Sequence, residues 1–374
     1  TISIAPGTYV VAQPLVALRP VTLVGGGVEK TILRSSAAGA ALLIDADGDV
    51  AVRDHSLEHD GSASASVVIV TGGGYELDNL RLAGATAAEN GAGGFALVLR
   101  TSPGLLRACG SMSSVWDVVA EENDGGGMFV GRDASPTLRA VSVSDSGGCG
   151  LCFVETSAGE VTASSVTDVP IGVRVDDAAA PELSGLEIRN VSLGVALTGT
   201  GSPSITGSRV TGARTGFEVV GSGSPSLTDT TVSDSVDIAV RLAGATTAAV
   251  SDLKVDGSTA VGIGIADEAS PALSATAITT TGDVGVIWAA DSGGTAVGLT
   301  VSGSRLGLQL SDSASPVVRD VTVRSVGEAS MLASGASSGR ITRLVCPADA
   351  PVALTDDTTT QVRQSPTCAI ADAR

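Results

Sequence analysis

The sequence predicts an all-β chain folded as one right-handed parallel β-helix, and three observations predict it. One apolar column recurs from Val143 through Val166, Ile188, Val210, Val232, Val255, Ile278, Val301 and Val323 to Cys346, always at steps of 22 or 23 residues. Each interval contains short stretches that alternate apolar and polar, as in Val173-Arg174-Val175, Phe217-Glu218-Val219 and Leu308-Gln309-Leu310. No interval holds a run with helical periodicity. Units this short cannot bury a core alone and must stack on their neighbours, and strict alternation is the pattern of half-buried strands.

The elements of one coil follow in order. Proline stands seven residues before the column in six units, at Pro136, Pro181, Pro203, Pro225, Pro271 and Pro316. It has no N–H for a ladder, so it marks a turn or a strand's first residue. A short apolar stretch follows, such as Leu183, Leu186, Ile188. Two residues past the column comes a turn former: Asp145, Asp168, Asn190, Gly212, Asp234, Gly257, Thr280, Gly303 or Ser325. A further strand is introduced by Gly150, Gly172, Gly194, Gly216, Gly262, Gly285 or Gly307. Ala239 and Ser330 take that place in two units, so the position needs a small residue and does not strictly need positive φ.

Leucine-rich repeats share the period, but their consensus is matched only at Leu183-Ser-Gly-Leu186-Glu-Ile188-Arg-Asn190. A left-handed β-helix would show a six-residue sub-period, which is absent, and propeller blades need roughly forty residues. The right hand follows the general preference of parallel connections. The whole chain, 1–374, therefore reads as one solenoid domain of roughly fifteen coils, on the order of 70 Å long. It divides into N-terminal coils 1–100, an irregular coil with an insertion 101–135, regular coils 136–346, and a C-terminal coil and tail 347–374.

The run Ser-Pro-x-Leu…Val…Gly-Val-x-Val resembles the parallel β-helix repeat of the pectin-lyase-like superfamily. The opening, Thr1-Ile-Ser-Ile-Ala-Pro6-Gly7-Thr8-Tyr9, then Val21-Thr-Leu-Val-Gly25 and Lys30-Thr-Ile-Leu33, is similar to that superfamily's first coils. The resemblance covers nearly the whole chain and speaks to fold far more than to activity, since one fold hosts many functions. In such proteins an amphipathic helix normally precedes this opening. Beginning at Thr1, the chain reads as a processed or excerpted part of a longer polypeptide, and the expected location is extracellular or at the cell surface.

Net charge is −18, with two lysines against twenty arginines. An acidic surface without a basic stripe argues against nucleic-acid binding, which phosphate neutralisation drives. It also disfavours polyanionic sugars unless calcium bridges them. Abundant Ala and Arg over Lys suggest a GC-rich bacterial genome. No stretch approaches eighteen apolar residues, so none is expected to span a membrane as a helix.

Candidate sites come from stacking and from the irregular coil. Pro103 and Pro136 are 33 residues apart, which places about ten extra residues near Gly104–Ser113. The same coil carries Cys109, Met112, an outward Trp116 and the string Glu121-Glu122-Asn123-Asp124. Trp116 is the candidate ligand-binding residue, and Glu121, Glu122 and Asp124 are the candidate catalytic acids. The alternative is a loop and a rim tryptophan covering the side of the helix. Asp145, Asp168 and Asn190 stack at one-coil spacing and offer three oxygens of the kind Ca²⁺ takes, or are simply solvated turn residues. Cys346 and Cys368 are one coil apart, within the ~4.4–6.8 Å Cα range of a disulfide if stacked. The alternative is two unrelated small apolar residues.

Cys149-Gly-Leu-Cys152 precedes no helix and has no second pair at zinc spacing, so a metal or redox role is weakly supported and the string reads as a structural accident, with Cys152 outward. Glu187 against Arg209 and Glu218 against Arg241 read as surface ion pairs. His55 and His59 fall on a strand and its turn, in different surroundings; a metal or acid–base pair is the alternative to ordinary placement. Asp45-Ala-Asp47-Gly-Asp49 reads as the turn before Val50-Ala-Val52.

Two functional classes fit. The first is a non-catalytic, rigid, surface-displayed module that serves a structural role or binds glycans or surface proteins, as a carbohydrate-binding or adhesin-like element with no cofactor required. The second is a polysaccharide lyase, glycoside hydrolase or epimerase with its site near 101–126. Aromatic residues are only 2% of the chain, so platforms for sugar rings are scarce, and the first class leads.

Overall fold

The computed structural model describes residues 1–100, 113–258, 260–280, 282–364 and 368–372. It is a right-handed parallel β-helix of about fifteen turns, without a helix among the described residues. Two compact units, Thr1–Val191 and Ser192–Arg374, make up the chain.

In unit 1 a regular coil consists of three strands, for example Glu160–Thr162, Ser165–Thr167 and Ile171–Val175. The first two belong to one sheet and the third to another. They pair in parallel with Thr137–Arg139, Ser142–Ser144 and Cys149–Phe153 of the preceding coil. Unit 2 repeats the plan, with Ser226–Thr228, Thr231–Ser233 and Ile238–Gly244 stacked on Ser204–Thr206, Arg209–Thr211 and Thr215–Gly221. The apolar column is aligned: Val143 registers with Val166 and Val166 with Ile188 in unit 1, and Val210, Val232, Val255, Ile278 and Val301 follow in unit 2. All ten of its members are buried.

Single left-handed residues make the corners. Asp145, Asp168 and Asn190 have φ of 48°, 54° and 53°, and Asp234 has 56°. Asn and Asp tolerate this region better than other side chains do. Another corner uses the acid itself as a rung. Asp177 Oδ2 accepts the Glu155 N–H at 3.1 Å, Asp267 Oδ2 the Gly244 N–H at 3.0 Å, and Asp312 Oδ2 the Ala290 N–H at 3.2 Å. A part of the acidic composition is thus spent on satisfying backbone donors.

The glycine that introduces the third strand is set by space. A Cβ on Gly216 would stand 2.5 Å from Val232 Cγ1, and one on Gly307 2.7 Å from Val323 Cγ1. Each glycine packs beneath the column valine of the next coil, and neither has positive φ.

Four readings are corrected. Ser113 belongs to strand Ser113–Glu121, so it does not lie in the expected insertion, whose other residues, with Cys109 and Met112, fall outside the described residues. A second excursion, between Ala83 and Phe95, closes on itself through an antiparallel bridge of Ala87 with Gly93. Glu187 pairs with Arg189 on its own strand, since residues two apart on a strand share a face, whereas Glu218 and Arg241 pair at 2.6 Å. Cys149 and Cys152 are disulfide-bonded, and Cys152, although in the outward column of Phe129 and Arg174, is covered. Cys346 and Cys368 form a second disulfide, Cα atoms 5.1 Å apart.

Candidate functional site

Three long strands of unit 1 build the candidate site: Val50–His59, Tyr75–Ala83 and Ser113–Glu121. Each bends once, at Asp54, Asn79 and Asp117, where φ is 59°, 48° and 52°. The bend reverses the alternation, so the residue just before it faces outward and the residue just after it faces the core. The outward column reads Arg53, Asp78, Trp116, Arg139, with rungs roughly 4.8 Å apart.

Trp116 is 47% exposed, the most exposed aromatic side chain among the described residues. The Arg139 guanidinium lies 5.7 Å from its ring centroid, within cation–π range. On the other side, Arg53 Nη2 pairs with Glu76 Oε1 at 2.6 Å, while Arg53 Nε is buried with no hydrogen-bond partner. Asn79 donates to Asp54 Oδ1 at 2.7 Å. Asp78 and Asp117 make no hydrogen bond or ion pair among the described residues. Partial burial pushes the Asp78 carboxyl above the usual carboxylate range; Arg53 opposes this, and Glu76, Asp54 and Asp117 add to it.

The other candidates are differently placed. Glu121 is engaged: its Oε1 takes Arg81 Nε at 2.6 Å, Arg81 Nη1 reaches Glu58 at 2.6 Å, and Glu58 holds Arg34 at 2.8 Å. This chain of charges ties four successive coils together. Glu122 forms a left-handed corner, φ 56°. Asp124 Oδ2 accepts the Ala87 N–H at 3.3 Å, and its neighbour Asn123 is buried and accepts the Ala85 N–H at 3.0 Å. These residues anchor the Ala83–Phe95 excursion. Asp145, Asp168 and Asn190 are exposed, and Thr167 Oγ1 donates to Asp168 Oδ2 at 3.0 Å. Their left-handed backbone accounts for their residue types, so identity alone makes no ligand argument for calcium. No group of three His, Cys, Asp or Glu side chains suited to a metal occurs among the described residues.

His55 and His59 are both buried. His55 Nδ1 faces Arg53 O at 2.8 Å, and His59 Nε2 faces Ala37 O at 3.1 Å.

Sequence reasoning found Trp116 but missed Arg53, Glu76, Asp78, Asp117 and Arg139. The signal was present: Val52-Arg53-Asp54-His55, Leu77-Asp78-Asn79-Leu80 and Val115-Trp116-Asp117-Val118 share one pattern, an outward residue and an Asx corner between two inward residues.

The fold and this side-chain arrangement define a β-helix protein with a mixed aromatic and acidic patch on one side. The family model described as "Right handed beta helix region" matches residues 40–232 and 215–344, and the chain belongs to that family. Among solved structures, it is similar to the N-terminal fragment of gene product 12 of bacteriophage phi29, at 10% identity and a TM-score of 0.64, covering 95% of this chain and 76% of that one. It is also similar to the catalytic domain of a GH87 alpha-1,3-glucanase, at 10% identity and a TM-score of 0.50, covering 88% of this chain and 61% of that one. A periplasmic alginate epimerase matches at 13% identity and a TM-score of 0.48, covering 91% of this chain and 78% of that one. Among curated proteins, none matches in sequence. At these identities the likeness is one of fold.

Proposed function

We propose that the chain is a non-catalytic, rigid β-helix module that binds a glycan on the outer side of unit 1. The observation that carries this reading is Trp116: a half-exposed indole, steadied by Arg139 and bordered by carboxylates, in a chain where aromatics are scarce. Sugar recognition takes an apolar face for the ring and polar groups for its hydroxyls, and this column supplies both. Two disulfides fit an oxidising compartment, hence display outside the cell. A glycan panel tested by titration calorimetry checks the reading. Binding that Trp116→Ala abolishes supports it, and a panel without a single binder, or binding indifferent to Trp116→Ala, removes it.

A second reading, a polysaccharide hydrolase, is favoured by one observation, the upward shift of the Asp78 carboxyl beside further acids. A carboxyl raised above its usual range is better suited than an ordinary one to act as general acid to a leaving oxygen, with a neighbouring carboxylate as its partner. On this reading Asp78 takes the role for which Glu121, Glu122 and Asp124 are the candidates in the sequence, and the named GH87 structural neighbour is an alpha-1,3-glucanase. Turnover of any panel glycan that Asp78→Asn eliminates would put this reading first.

A further inference from the structure

We infer, on the reading that Trp116 binds a saccharide, that the ligand is an amino sugar whose ring packs on the indole and whose ammonium is received by Asp78 and Asp117. Four carboxylates (Asp54, Glu76, Asp78, Asp117) and two guanidinium groups (Arg53, Arg139) line four adjacent coils. Arg53 is taken by Glu76 at 2.6 Å, and Arg139 lies over the Trp116 ring. Asp54 accepts the Asn79 amide at 2.7 Å. Asp78 has only the charge of Arg53, already paired with Glu76, to oppose it, and Asp117 makes no hydrogen bond or ion pair among the described residues; both adjoin the indole, Asp78 one rung away in the same outward column and Asp117 next in sequence at the corner.

Three ligand charges can be compared on this surface. A uronate or sulfated glycan would bring a further anion to a patch that already has an excess of carboxylates, in a chain of net charge −18. A neutral glycan could stack on the ring and hydrogen-bond the acids, but would leave both charges uncompensated. An ammonium compensates them by charge-assisted hydrogen bonds. The Asp78 carboxyl is raised first by burial; Arg53 opposes this, and Glu76, Asp54 and Asp117 each add to it.

The test titrates the full chain with three tetrasaccharides: glucosamine, its N-acetylated counterpart and a uronate. A neutral glucan tetramer serves as the reference. The glucosamine tetramer is expected to bind about tenfold tighter than the N-acetylated one at low salt, and the margin should shrink as salt screens the charges. Asp78→Asn and Asp117→Asn should each reduce the margin without lowering the melting temperature, while Trp116→Ala should weaken both ligands. If the N-acetylated, neutral or uronate tetramer binds as tightly as glucosamine, the amino-sugar inference falls and the saccharide reading stands. Silence from all four removes both. Glucosamine binding that ignores Trp116→Ala and Asp78→Asn overturns the placement.

Discussion

Arg139 registers with Trp116 one coil further along, and its guanidinium lies 5.7 Å from the indole centroid. The guanidinium lies against the ring yet leaves Trp116 47% exposed, so the contact narrows the side chain's rotamer choice without covering it. Preorganisation of this kind lowers the entropy lost on binding. Because Trp116 covers little core, Trp116→Ala should change stability by no more than about 0.5 kcal/mol. The same substitution should weaken glycan binding by about 2 kcal/mol or more, and Arg139→Ala should weaken it less. Melting curves beside calorimetric titrations measure the two effects separately.

Substitution at Gly216 tests the packing rule of the repeat. A Cβ there meets Val232 Cγ1 and the Ala239 carbonyl oxygen, each at 2.5 Å. Gly216→Val should therefore destabilise unit 2 by overpacking, by about 1–3 kcal/mol or more. Gly293→Ala is the control, because its nearest neighbour would be Ser315 Oγ at 3.6 Å. Equal melting temperatures for the two variants would contradict the rule.

The same spacing explains what could be read from the amino acids alone. From Val143 onward the period varies by one residue, so the column, its burial and the small residue beneath it were all legible. Before Val143 the rhythm fails: Tyr75 registers with Ser113, 38 residues on, because the Ala83–Phe95 excursion and residues 101–112 intervene. Trp116 was visible as an isolated aromatic, while its neighbours Asp78 and Arg53 became neighbours only through that long-range register. Glu187 shows the opposite limit. The repeat assigns its coil, but the side chain turns to Arg189 along the strand, a rotamer choice that no repeat pattern encodes.

His55 predicts a pH dependence. It occupies a core column with Leu80 and Val118, fully buried, and its Nε2 has no hydrogen-bond partner. Burial holds the imidazole below its ordinary value of 6.5. Above that value both folded and unfolded chains carry it neutral, and it adds no pH dependence. Below it the unfolded chain gains a proton that the folded chain resists, so stability falls as pH falls until the lowered folded value is reached. His55→Leu should flatten this slope in urea titrations below pH 6.5. It should also raise stability at neutral pH, since it removes an unsatisfied buried group that costs about 1–3 kcal/mol.

The two disulfides should differ in what they hold. Cys346–Cys368 closes a separation of 22 residues and ties the last described strand region to the column, whereas Cys149–Cys152 spans only three. In the chain-entropy account, stabilisation grows with the loop closed, about 3 kcal/mol for the first and about 2 kcal/mol for the second. The larger difference is one of location. Cys149–Cys152 sits within a strand that is paired on both sides, so its neighbours hold that strand when the bond is cut. The coil at Cys368 pairs on one side among the described residues, through Gln361–Gln364 and Ile370–Asp372, and loses its covalent tie. Cys368→Ser should therefore expose the residues beyond Cys346 to rapid hydrogen exchange and proteolysis, while Cys152→Ser leaves exchange in Cys149–Phe153 slow. Thiol counting in denaturant without reductant should give one free thiol of five for the native chain and two for either variant after the freed partner is exposed.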